Sequence, residues 1–163
     1  MTTTALIPAA LRDYFAPLEE IQHAPRPDDT YRRCFGCGPD HPTGLRVRCF
    51  RTEEGVASPV WIARDYAGPP GAAHGGIVAA YLDEILAGAV LRSTGSSAVT
   101  GELTIRYRRP VPVEHAVLGR AHLIIDHGRF VDVEGDLIDP KTREVLASAK
   151  GRFFPIRGPK ANN

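Results

Sequence analysis

Two adjacent carboxylates, Asp83 and Glu84, stand in the middle of an otherwise apolar run from His74 to Leu91, and a His74-Gly75-Gly76 turn opens that run. A charged side chain in such a segment is costly to bury unless it is paired or put to use. A carboxylate there can activate a water or attack an acyl carbon directly. The turn offers the complementary chemistry. The first N–H groups of a helix have no internal acceptor, glycine lets a ligand approach them closely, and the helix dipole adds positive character. Together they suit the oxygen of a polarised carbonyl, where losing one donor costs ~3–4 kcal/mol of transition-state stabilisation. Each feature also has a purely structural reading. The glycines would permit close helix–sheet packing, and Asp83 would pair with Arg106, Arg108 or Arg109.

The helical period limits how these groups can cooperate. Neighbouring residues point about 100° apart, so Asp83 and Glu84 should not share one task. One should face the site and the other a rim or a salt bridge. At ~1.5 Å per residue, the Gly75–Gly76 amides lie roughly 10–12 Å from Asp83 along the axis. A nucleophile and an oxyanion donor must both approach one reacting group to about 3 Å. If both features serve one reaction, Asp83 of one chain meets the amides of another, and the site lies at a two-fold interface.

The surrounding elements follow from periodicity. The long helix is expected over about Gly75 to Leu91, ending in a loop whose Gly95 is a natural stop. Before it, Leu45 to Phe50 alternates apolar and polar residues and reads as a half-buried strand, paired through a Glu54-Gly55 turn with Val56 to Ala63. After it come four strands: Val99 to Arg108, Val117 to Asp126, Phe130 to Ile138 and Glu144 to Phe154, separated by Pro110 and Pro112, His127-Gly128 and Asp139-Pro140. The order is hairpin, helix, antiparallel meander, which is an α+β domain of two layers. Leu11 to Gln22 is a short amphipathic helix interrupted at Pro17, followed by an extended linker from Ala24 to Asp29. Edge strands that continue into a partner's sheet make dimerisation an expectation of the topology.

Composition narrows the function classes. The 163 residues favour one domain, and the formal charge of +1 leaves no footprint for nucleic acid or a polybasic membrane surface. No apolar run reaches transmembrane length, and Met1 to Leu11 carries neither a basic leader nor a cleavage site, so no signal peptide is expected. Three cysteines, Cys34, Cys37 and Cys49, suit a reducing compartment and point to the cytoplasm. Cys34 and Cys37 with His41 and Cys49 are a conceivable zinc set. Structural zinc usually draws on two well-spaced ligand pairs and only one is present, so no metal and no cofactor are expected. His115, His122 and His127 read as surface or turn residues without evident partners. Arg129, beside Gly128 in a hairpin, suits a phosphate group, though exposed hairpin arginines are commonly just solvated.

His74-Gly75-Gly76 followed by Asp83 resembles the motif of hotdog-fold acyl-CoA thioesterases, in the branch of the phenylacetyl-CoA thioesterases and the mitochondrial THEM-type acyl-CoA thioesterases. Cys34-Phe35-Gly36-Cys37-Gly38 through Pro42-Thr43-Gly44-Leu45 resembles that branch before its first strand. Val99 to Pro112 resembles its strand after the helix, and Gly128-Arg129 to Phe154 its final hairpin. The likeness covers about residues 34–155. It implies a hotdog domain over 34–156, with residues 1–33 as an N-terminal arm and 157–163 as a flexible tail. It also implies that the Gly76 amide, with Gly75, polarises a thioester carbonyl, that His74 orients the turn or the thioester, and that Asp83 is general base or nucleophile. Thr100 would help hold the water, and Asp83 would act across a homodimer, which often assembles into a homotetramer. Ala72-Ala73 replaces the larger residues expected before the histidine, altering the pocket wall. The alternatives are a hotdog dehydratase or hydratase, whose His–acid motif is not recognised here, and a non-catalytic acyl-binding dimer.

Overall fold

The computed structural model describes residues 6–21 and 30–156. The expected linker and tail lie outside them. One antiparallel sheet of seven strands organises the chain, in the order β1-β2-β3-β5-β6-β7-β4. Its strands are β1 (Glu20–Ile21), β2 (Cys49–Arg51), β3 (Val56–Trp61), β4 (Ala98–Tyr107), β5 (Ala116–Asp126), β6 (Val131–Ile138) and β7 (Val145–Pro155). The long helix α2 (Gly75–Thr94) connects β3 to β4 and carries the chain to the far edge of the sheet, where β4 pairs with β7. An antiparallel sheet wrapped on one long helix is the hotdog architecture.

Helix α2 buries Val78, Tyr81, Leu82, Ile85, Leu86, Ala89 and Val90. These recur at three- and four-residue steps, so one stripe enters the core. They meet inward residues of the sheet, among them Val131, Val133, Leu137, Ala147 and Phe153. Strand β6 shows the strand period most clearly, with buried positions alternating along Val131–Leu137. A run this apolar suits burial on every side. Instead the side carrying Ala79, Ala80, Asp83, Glu84, Ala87 and Gly88 is only half-buried. It runs three residues past Leu91 and stops at Gly95, which adopts a left-handed φ of 72° and donates its N–H to the Leu91 carbonyl.

The N-terminal segment lies on the opposite side of the sheet. Leu11 and Phe15 pack with Phe50, Ala57, Leu118 and Ile138. The helix expected over Leu11 to Gln22 is reduced to a 3-10 turn and the single turn α1 (Arg12–Phe15). Pro17 cannot extend it, and the chain instead adds β1 beside β2. A second expectation fails at Leu45 to Arg48, which form no strand although they alternate. Arg46 has a left-handed φ of 53°, and its Nη2 donates to the His41 carbonyl at 2.9 Å. The flanking amides of Leu45 and Val47 donate to Phe35 and Gly36 at 2.8 Å each. A turn–loop unit therefore replaces the first half of the strand. Among the described residues, no helix is long and apolar enough to cross a membrane.

Candidate active site

His74 is the N-cap of α2, with extended backbone at φ −61° and ψ 137°. Its Nδ1 accepts the Gly76 N–H at 3.0 Å, and its carbonyl accepts from Ile77 and Val78. The cap satisfies orphan donors that every helix start exposes. Because Nδ1 accepts, the neutral ring carries its proton on Nε2, ready to be donated outward. Gly76, expected as the main oxyanion donor, therefore has its amide engaged by its own cap. Among the described residues no acceptor contacts the Gly75 N–H. Gly75 is thus the open donor at this end of the helix.

Alternation along β4 places Tyr107 on the same face as Leu103 and Ile105. Its hydroxyl donates to the Gly75 carbonyl at 2.7 Å. Strand β4 thereby fixes the Gly75–Gly76 peptide from outside the helix. The signal in sequence was the parity of Tyr107 with Leu103 and Ile105, both packed against the core. The partner of its hydroxyl had no sequence signature.

Asp83 is half-buried, and its Oδ1 accepts the Thr100 hydroxyl at 2.7 Å. A bulge makes this contact possible. Thr100 pairs with Phe153, Glu102 with Arg152 and Leu103 with Gly151, so the register shifts between Thr100 and Glu102. In an unbroken strand Thr100 and Leu103 would point to opposite faces. The extra residue, Gly101, returns Thr100 to the helix face. A Cβ at Gly101 would overlap the Phe154 ring. An isolated glycine within a strand pattern is the signal that marks such a bulge.

Among the described residues no arginine pairs with Asp83. Arg109 pairs instead with Glu144 at 2.9 Å. Glu84 points elsewhere, as the helical period requires, but reaches no salt bridge among those residues. It packs on the Cys34–Cys37 turn, where a Cβ at Gly36 would overlap its Oε2. Burial, with the neighbouring Cys34, pushes its carboxyl up to about 7. One ligand atom from each of Cys34, Cys37 and Glu84 lies within 4.8 Å of the others. His41 and Cys49 are not among them. His41 stacks edge-on against Phe35, and Cys49 is buried below Gly88.

The three strand-region histidines have partners after all. His115 Nδ1 lies 2.8 Å from the Val113 carbonyl, His122 Nε2 3.1 Å from Glu134, and His127 Nε2 3.1 Å from Asp132. Gly128 turns the β5–β6 hairpin at φ 83° and donates to Asp126 at 2.7 Å. Arg129 is exposed beside it. The structure thus joins Asp83 to Thr100 and His74 to Gly76. It leaves those two groups about 10 Å apart along one continuous helix.

Residues 70–146 match the family model of the thioesterase superfamily. A thioesterase superfamily protein of known structure is 29% identical, with a TM-score of 0.67 over 75% of this chain; the chain spans only 63% of that protein's length. A Bacillus halodurans protein solved with CoA is 30% identical, with a TM-score of 0.55 over 61% of this chain and 70% of its own. The PaaI protein from the phenylacetic acid degradation operon of E. coli shares the fold at 16% identity, with a TM-score of 0.60 over 68% of this chain and 83% of its own.

Proposed function

The chain belongs to the thioesterase superfamily, and on that premise we propose that it hydrolyses an acyl-CoA or acyl-carrier thioester to a free acid and a thiol. The observation that carries this reading is the Thr100–Asp83 hydrogen bond. One carboxylate oxygen is held by the hydroxyl, which leaves the other to hold a water. Asp83 is then the general base. It takes a proton as the water oxygen bonds to the acyl carbon, and the carbonyl oxygen becomes an oxyanion. The open Gly75 amide receives that oxyanion, aided by the helix dipole. Collapse breaks the C–S bond, and the proton passes to the departing sulfur. His74, through Nε2–H, is placed to orient the thioester. Gly76 contributes through its bond to that ring.

One helix cannot bring Asp83 and Gly75 to the same atom, so the reading requires a homodimer. Edge strand β4 is the surface that favours one. It is ten residues long, and Val99 and Tyr107 on it are 55% and 52% exposed. A further pairing of dimers into a tetramer follows the branch the motifs resemble, that of phenylacetyl-CoA and THEM-type thioesterases. The Bacillus halodurans relative was solved with CoA, which favours a CoA ester. Arg129 and Gly128 at the hairpin tip are assigned to its phosphates. The catalytic domain is assigned to residues 34–156, with 1–33 as an arm that lends β1 to its sheet, and the protein to the cytoplasm.

The test is thiol release from a panel of acyl-CoAs by wild type, Asp83→Ala and Gly75→Pro. Proline is well tolerated at the first helical position, and the extended backbone of His74 suits a residue before proline. Both variants are expected to fold and to lose most of their turnover. Wild-type rates in Asp83→Ala would remove the catalytic assignment. Binding without turnover on CoA and carrier thioesters would establish a non-catalytic acyl-binding dimer, and water addition to an enoyl-CoA a hydratase.

A further inference from the structure

The hydrolytic reading makes no use of Glu84 or of the turn it touches. That turn is built with care. Cys34 donates its N–H to Tyr31 at 3.0 Å, and Gly38 returns its N–H to the Cys34 carbonyl at 2.9 Å. The backbone is wound so tightly that a Cβ at Gly38 would sit 2.5 Å from both the Arg32 carbonyl oxygen and the Cys34 nitrogen. Asp40 donates its N–H back to the Arg32 carbonyl at 2.9 Å, and the Arg32 guanidinium grips its carboxylate at 2.5 and 2.7 Å. Phe35 and Gly36 are tied to Leu45 and Val47 through main-chain bonds. The Cys34 and Cys37 sulfurs are thereby held within 4.8 Å of one another.

The third group arrives from a distant element. Glu84 projects from the middle of α2 into the same spot, and Gly36 is the residue that leaves room for its carboxylate. The three ligand atoms lie mutually within 4.8 Å. Among the described residues no lysine, arginine or histidine pairs with Glu84. Two sulfurs and a carboxylate oxygen therefore converge on one point, the kind of donor set a thiophilic cation takes.

We propose that Cys34, Cys37 and Glu84 bind one thiophilic divalent cation of the zinc class, which pins the N-terminal turn to the middle of the catalytic helix. Two sulfurs in the donor set select against magnesium and calcium, which take oxygen ligands. A Cys-x-x-Cys-Gly turn supplies the first pair, and the helix supplies an oxygen donor. The fourth tetrahedral position is left to water. On binding, the thiol protons are released to solvent and metal–sulfur and metal–oxygen bonds form. No electron is transferred. The sequence argued against zinc because it showed one good ligand pair, Cys34 and Cys37, where structural sites usually draw on two. The ligand that completes the set lies 47 residues further on and looks like a helix residue.

The experiment titrates the full chain, reduced and freed of metal by chelator, with cobalt(II) and then zinc(II). One cobalt per chain is expected, with a thiolate-to-cobalt charge-transfer band in the near ultraviolet and tetrahedral bands in the visible, all bleached by zinc. Cys37→Ser should weaken the charge-transfer band by about half or abolish it. Glu84→Gln should keep the band but lower the affinity at least tenfold. Circular dichroism of each metal-free variant controls for folding. Absence of a charge-transfer band in reduced wild-type protein overturns the proposal. So does unchanged cobalt affinity in Glu84→Gln. Because no step of thioester hydrolysis enters these readouts, the result is independent of whether turnover is found.

Discussion

Thr100→Val is the sharpest test of how the site is held together. Valine keeps the β-branched shape and the strand preference of threonine, so β4 and its bulge should persist. What disappears is one O–H donor, 2.7 Å from Asp83 Oδ1. Hydrogen bonds to a charged group contribute about 1.5–3 kcal/mol. At ~1.36 kcal/mol per decade this range spans roughly 10- to 150-fold. Thr100 is exposed and Asp83 only half-buried in the single chain, so solvent screening favours the low end. The expected effect is about a tenfold fall in kcat, with KM little changed, because the hydroxyl orients the base and not the acyl group. Steady-state thiol release with a chromogenic disulfide reads both parameters. Thr100→Ser should restore most of the rate, and the melting midpoint of Thr100→Val should stay near wild type. A kcat within twofold of wild type in Thr100→Val, alongside an inactive Asp83→Asn, would refute the claim that the bulge exists to aim this hydroxyl. A large rise in KM at constant kcat would move Thr100 to substrate binding.

Three further outcomes follow from packing and charge. Gly135→Ala should destabilise the fold by about 1–3 kcal/mol in urea unfolding, because its Cβ would overlap the Arg120 carbonyl oxygen and neither backbone can yield cheaply. Phe15, only 2% exposed, anchors the N-terminal segment on the outer sheet face. Phe15→Ala should cost about 3 kcal/mol in the same assay, a value at the low end for phenylalanine because the segment can detach locally. Hydrogen bonds from Arg152, and then His127, hold the Asp132 carboxyl down to about 2. Its folded value lies below its ordinary 3.8, so its contribution is present above that pH and is lost as pH falls through about 2. Carbon-detected NMR titration should find Asp132 among the late-protonating aspartates, and Asp132→Asn should show less acid destabilisation over that window.

Much of the fold was legible because burial writes a period into the chain. The alternation of Val131, Val133 and Leu137, the His-Gly-Gly start and the Gly95 stop are local properties, set by the face a residue presents and by the φ a glycine allows. The same logic misread Leu45 to Arg48. Alternation reports two faces but does not detect a left-handed φ at Arg46, whose guanidinium is held by carbonyls of the preceding turn. Nor does it tell how deeply α2 lies inside the sheet. Composition fixes how apolar a helix is, while the packing stripe decides which side is covered.

At the opening of α2, the residues that can do chemistry were readable, but their contacts were not. His-Gly-Gly and Asp83 stand out by type and spacing, and helix rise alone separates them into two half-sites. Which amide is open was decided by a side chain, since His74 turns back to occupy Gly76 and leaves Gly75. Thr100 reaches Asp83 because a bulge reverses its face. Tyr107 reaches Gly75 because the crossover through α2 brings β4 beside the helix N-terminus. Glu84 meets Cys34 and Cys37 because the N-terminal turn folds against the helix middle. Sequence determines periodicity, caps and breakers, which act over one or two turns. Partners tens of residues apart are selected by how strands order in the sheet, and only the folded chain carries that information.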